Sequence, residues 1–139
     1  ALGATPLILD WRNISPLSHR SDIGSTGKAA WSREWGRSAW YNCAVISECA
    51  AFIGIDSGPS KCASATNTPS LTIWTGHSPL PFHDPSSNMT HLVPRNYVGL
   101  FPAVTDPQVL SWFESHYQIM WYNLDPLVEV ENWLRGVLK

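Results

Sequence analysis

Between Ala39 and Ile53, twelve of fifteen residues are apolar, and no other stretch limits the fold so strongly. Read as a helix, such a run has no polar face and must be surrounded by protein. Its exceptions, Asn42, Ser47 and Glu48, fall at roughly 0°, 140° and 240° around the helix axis, so they form no common stripe. A buried polar side chain needs a hydrogen-bond partner, and Glu48 is the costliest of the three to bury. The apolar stretch, followed on to Ile55, is too short and too polar to cross a bilayer, which takes about twenty predominantly apolar residues.

The cysteines lie in or just after this run, at positions 43, 49 and 62. A helix over 39–53 separates Cys43 from Cys49 by roughly 9 Å of rise, beyond the roughly 7 Å that a disulfide allows. Cys62 follows on a turn-rich loop, and Gly54, Gly58 and Pro59 let the chain fold back. A Cys49–Cys62 bridge with a buried Cys43 is the preferred pairing. Three free thiols and an interchain bond are the alternatives. No CxxC pair favours zinc.

Elsewhere the pattern alternates between short strands and helices. Strands are expected at Leu7–Trp11, Leu71–Thr75, His91–Pro94 and Asn96–Phe101. Asp106-Pro107 offers an N-cap followed by Pro at the first helical position, and Val109, Trp112, Phe113, His116 and Met120 then keep one face up to Asn123. Asp125-Pro126 repeats the device for a last helix to Arg135, with Gly136 at its cap. The fold class expected is α+β: one buried helix (39–53), a small sheet of short strands and a C-terminal helical hairpin. At 139 residues this makes a single globular domain spanning 1–139.

Charged residues make up only 14% of the chain, eight residues are Trp, and the net charge is −2. That balance argues against nucleic-acid binding, which rests on a basic field. A surface so poor in charge suits one covered by a partner, a membrane or glycan. Asn88-Met89-Thr90 is a sequon in a polar loop, and Asn13-Ile14-Ser15 is followed by Pro16. The absence of an initiator Met fits a processed, secreted chain and equally an arbitrary start of the sequence; extracellular localisation is the expectation.

Four groupings carry candidate chemistry. His77, His83, Asp84 and His91 place three imidazoles and a carboxylate on one Pro-rich loop. They suit a divalent metal held by His77, His83 and His91, or acid–base work by His83 and Asp84; the plainer reading is a solvated loop. Glu48, Glu114 and His116 form a second acid–base candidate, against the simpler reading of one structural hydrogen bond and a solvated helix face. Gly24–Lys28 matches only the end of a phosphate-binding loop: Asp22 stands where Gly is needed, and Ala29 where Ser or Thr is needed. Trp31, Arg33, Trp35 and Arg37 interleave aromatic and cationic side chains, as contact surfaces for a protein or carbohydrate do; core tryptophans with solvated arginines are the alternative.

The function expected from this profile is a secreted, non-enzymatic recognition protein, toxin-like or virulence-factor-like, acting through the Trp/Arg segment. A small hydrolase or lyase using the histidine loop is one alternative. The other is a subunit of an oligomer or hetero-complex, which suits the low charge and odd cysteine. No Gly-x-Ser-x-Gly, HExxH or dinucleotide fingerprint is present.

Overall fold

The computed structural model describes residues 4, 7–9, 30–31, 38–75, 79, 83–95 and 106–139. Its elements run β1 (Leu7–Ile8), β2 (Ala30–Trp31), α1 (Ala39–Ser47), β3 (Phe52–Ile55), α2 (Gly58–Ser64), β4 (Ser70–Ile73), β5 (Met89–Pro94), α3 (Pro107–His116), β6 (Gln118–Tyr122) and α4 (Leu127–Val137). The mixture of helices with a small sheet expected from the sequence is what is found. The four strands β3–β4–β5–β6 form one sheet in chain order, all parallel, and β1 pairs with β2 separately.

Register decides which side chains meet. Gly54, Thr72, His91 and Ile119 are successive partners across the sheet, and so are Ile55, Ile73, Leu92 and Met120. Side chains alternate along a strand, so these two rows face opposite ways. On the first face Phe52 and Met89 pack with Ile46 of α1 and Ala63 of α2. On the other, Leu71, Leu92 and Tyr122 pack with Val130 and Trp133 of α4. A parallel sheet carries helices on its faces because each crossover must return over the sheet.

The long apolar run divides instead of forming one helix. Helix α1 starts at Ser38, whose side chain accepts from the Tyr41 N–H at 3.1 Å, and ends at Ser47; Phe52–Ile55 then extends as β3. A continuous apolar run is compatible with either element, and pairing with β4 is satisfied only by the extended form. The run's polar residues sort accordingly. Asn42 is buried and donates to the Ser38 carbonyl at 3.0 Å, while Glu48 caps the helix end and is exposed. Trp40 is 87% exposed, so α1 is covered on one side only.

The C-terminal helices form as expected at their starts but not as one hairpin. Asp106 accepts from the Gln108 and Val109 N–H groups at 2.9 and 3.4 Å. The helix then stops at His116, and Gln118–Tyr122 joins the sheet as β6 against β5. Asp125 accepts from the Leu127 N–H at 2.9 Å and opens α4, which continues through Gly136 to Val137.

The expected Cys49–Cys62 disulfide is not formed: all three cysteines are free thiols. With α1 ending early, Cys62 lies against the other side of that helix. Its Sγ donates to the Ala39 carbonyl at 3.6 Å, and Cys43 donates to the Cys62 carbonyl at 3.9 Å. Burial, then the bond with Cys43, pushes the Cys62 thiol up to about 11. The Asn88 sequon is corrected as well. Asn88 Nδ2, the atom a glycan would occupy, donates to the carbonyls of Ala63, Thr66 and Thr68 at 3.2, 2.8 and 3.1 Å. It staples the α2–β4 loop to the start of β5. No described helix is long and apolar enough to cross a membrane.

Candidate functional site

The carboxyl end of strand β3 runs straight into the turn Asp56-Ser57 and the first turn of α2, Gly58-Pro59. Ser60 Oγ accepts from the Ser57 N–H at 3.2 Å and donates to the Ser57 carbonyl at 2.8 Å, which fixes the turn into α2. Lys61 Nζ reaches back to Asp56 Oδ1 at 3.6 Å. Among the described residues, no atom beyond its own helix and chain neighbours lies within 4 Å of the position a Cβ on Gly58 would take, so the backbone there is open to close approach. Ligands of open parallel sheets bind outside the carboxyl ends of the strands, at a switch in strand order; the described strands run in one order, so only the end of the sheet carries over.

Beside this loop, on the face shared with α1 and α2, aromatic and imidazole rings cluster. Trp74 follows β4, His91 sits in β5, Tyr117 follows α3, and His83 comes from the β4–β5 connection. His83 lies 5.6 Å from Trp74 and 5.4 Å from His91, and His91 lies 5.5 Å from Tyr117, measured between ring centroids. Tyr117 donates to the His83 carbonyl at 2.8 Å, and Tyr122 to the Trp74 carbonyl at 3.0 Å. Trp74 Nε1 donates to His91 Nδ1 at 3.1 Å.

That last bond settles the chemistry of His91. Burial first, then the neighbouring His83 and Lys61, push its pKa down to about 3, so it is neutral at pH 7. An indole N–H only donates; Nδ1 is therefore the acceptor and Nε2 carries the proton. A neutral imidazole protonated on Nε2 has no lone pair there for a metal. Burial and Lys61 also lower His83, against the opposing pull of Asp56 and Asp84. Thr72 Oγ1, His83 Nε2 and His91 Nε2 are buried without a hydrogen-bond partner among the described residues.

At the far side of the carboxyl edge, Arg95 follows β5. Its guanidinium sits 5.7 Å from the Trp121 ring centroid, and Trp121 Nε1 donates to Glu114 Oε1 at 2.9 Å.

Residues 42–99 match the family model of glycosyltransferase family 9 (heptosyltransferase). The matched stretch is less than half of the chain. It takes in α1 from Asn42 onward, β3, the Asp56-Ser57 turn, α2, β4 and β5. No curated protein and no solved structure matches the chain.

A match to a glycosyltransferase family points to an enzyme and overturns the expected non-enzymatic, toxin-like recognition protein. Of the histidine grouping, His83 and His91 do come together, but Asp84 is exposed and His77 lies outside the described residues. Among the described residues no group of three or more His, Cys, Asp or Glu is placed to hold a metal. Glu48, Glu114 and His116 are all exposed. Glu114 is engaged by Trp121, and His116 Nδ1 lies 2.7 Å from the Trp112 carbonyl within its own helix. Of the Trp/Arg segment, Arg33, Trp35 and Arg37 lie outside the described residues, as does Gly24–Lys28, and only the backbone of Trp31 is described, in β2.

The sequence reading missed Asp56, Ser57, Gly58 and Lys61, placing them in a turn-rich connection. Only part of the signal was present: Asp-Ser-Gly-Pro is a turn with a Ser cap and a Pro suited to a first helical turn, but Phe-Ile-Gly-Ile before it reads as helix or strand from its own residues.

Proposed function

We propose that this chain carries a nucleotide-sugar-binding unit of a glycosyltransferase, the donor lying across the carboxyl ends of β3–β5. One observation carries the reading: the segment that matches the family model holds the strand-to-helix loop that a parallel sheet presents to its ligand. The family's description names heptose, which makes a nucleotide-activated heptose the first donor to test.

Glycosyl transfer moves the anomeric carbon from a diphosphate to an acceptor hydroxyl. Negative charge grows on the leaving diphosphate, so a fixed cation aimed at it lowers the barrier. Lys61 supplies that cation at the loop, held by Asp56. The open backbone at Gly58 admits the diphosphate, and the Asp56 carboxylate accepts from a donor hydroxyl.

The test is thermal denaturation of the protein with nucleoside diphosphates and nucleotide sugars. A ligand present at about 100 times its Kd stabilises by about 2.7 kcal/mol. Asp56→Ala and Lys61→Met should each weaken binding about tenfold or more, the scale of one lost charge-assisted contact. A panel of adenosine, guanosine, uridine and cytidine diphosphate sugars that leaves the melting temperature unmoved would sink the reading.

A further inference from the structure

We propose that a second pocket, at the amino ends of β4–β6, binds a single neutral sugar residue. The cavity is about 310 Å³ and is lined by Asn67, Ser87, Thr90, Gln118 and Trp133, with no charged residue among the described lining. It lies at the opposite ends of the strands from Asp56 and is independent of the nucleotide-sugar reading.

A chain of hydrogen bonds builds its wall from three elements and a loop. Trp133 Nε1 of α4 donates to Thr90 Oγ1 of β5 at 3.1 Å. Thr90 donates to Gln118 Oε1 of β6 at 3.3 Å, and Gln118 Nε2 donates to the Ser87 carbonyl at 2.7 Å. Each member is held in one orientation by its neighbours, so a ligand meets groups already placed. One Gln118 N–H and lone pairs on Gln118 Oε1 and Thr90 Oγ1 stay unused. The Ser87 hydroxyl and the Asn67 amide are exposed and make no hydrogen bond among the described residues.

The unused groups are donors and acceptors side by side, all neutral, next to an indole. A sugar hydroxyl both donates and accepts, and the C–H face of a pyranose is apolar enough to pack against an indole. A phosphate or carboxylate finds no cation among the described lining. The volume sits at the small end of ligand pockets, room for one ring and not a drug-sized ligand.

The experiment follows the Trp133 indole N–H by NMR while the methyl glycosides of glucose, mannose and N-acetylglucosamine are added in turn. One of them should give a saturable shift with a Kd of about 1–10 mM, while the Trp74 indole stays still. Gln118→Ala and Asn67→Ala should each weaken it about tenfold. Asn67 is exposed, so its variant decides the matter even where Gln118→Ala disturbs the fold. No saturable shift with any of the three overturns the proposal. So does unchanged affinity in Asn67→Ala.

Discussion

Asn88 and His91 lie three residues apart and show how position decides what a polar side chain is for. Asn88 stands in a sequon, yet its amide nitrogen is spent on three loop carbonyls. His91 stands in a histidine-rich stretch, yet it is fully buried and accepts from Trp74. Its titration makes the fold less stable in acid. The folded pKa is depressed to about 3 from an ordinary 6.5, so the unfolded chain binds the proton more readily. Stability from this group is complete above pH 6.5 and is lost as pH falls from there toward 3, at up to about 1.4 kcal/mol per unit. Chemical denaturation at a series of pH values should show that slope, and His91→Phe should flatten it. The variant will also be less stable at neutral pH, because Trp74 loses its acceptor, about 1–3 kcal/mol. An unchanged slope in His91→Phe would assign the acid sensitivity elsewhere.

Caps were more legible than lengths at the level of elements. Asp106-Pro107 starts α3 where the sequence says it should, because the cap is a local hydrogen bond. Asp106→Ala should therefore lower stability by about 1 kcal/mol, read as a drop in melting temperature, and Asp106→Asn should restore most of it. A full-sized loss in Asp106→Asn would point to its charge and not its cap. Where α3 ends was not legible. Met120 keeps helical phase with His116, but Gln118–Tyr122 gains a whole ladder of bonds by pairing with β5. The same competition cut the apolar run at Ser47. Phe52–Ile55 reads as helix or strand from its own residues, and only Ser70–Ile73, fifteen or more positions on, decides it. Non-local pairing leaves no trace in local periodicity. That is why the mixed class could be read and the parallel sheet could not. The site failed for the same reason: Asp56–Lys61 is a turn until the strand before it is recognised.

For the molecule as a whole, the parallel sheet makes the two ends of its strands chemically different. The carboxyl ends carry Asp56, Lys61 and Arg95; the pocket at the amino ends is lined by neutral side chains and Trp133. Strand β5 has six residues, so at roughly 3.3 Å per residue the two ends lie about 16–20 Å apart. Sites separated by more than about 7–10 Å, with no shared partner, behave additively. Asp56→Ala should therefore weaken nucleotide-sugar binding and leave glycoside binding at Trp133 unchanged, and Gln118→Ala should do the reverse. Stability changes in the double variant should equal the sum of the single ones within about 0.5 kcal/mol. Isothermal titration of both ligands against the two single variants and the double variant reads all of these quantities together. Loss of both affinities in either single variant would show one continuous site running across the sheet, and would remove the separation on which the second pocket rests.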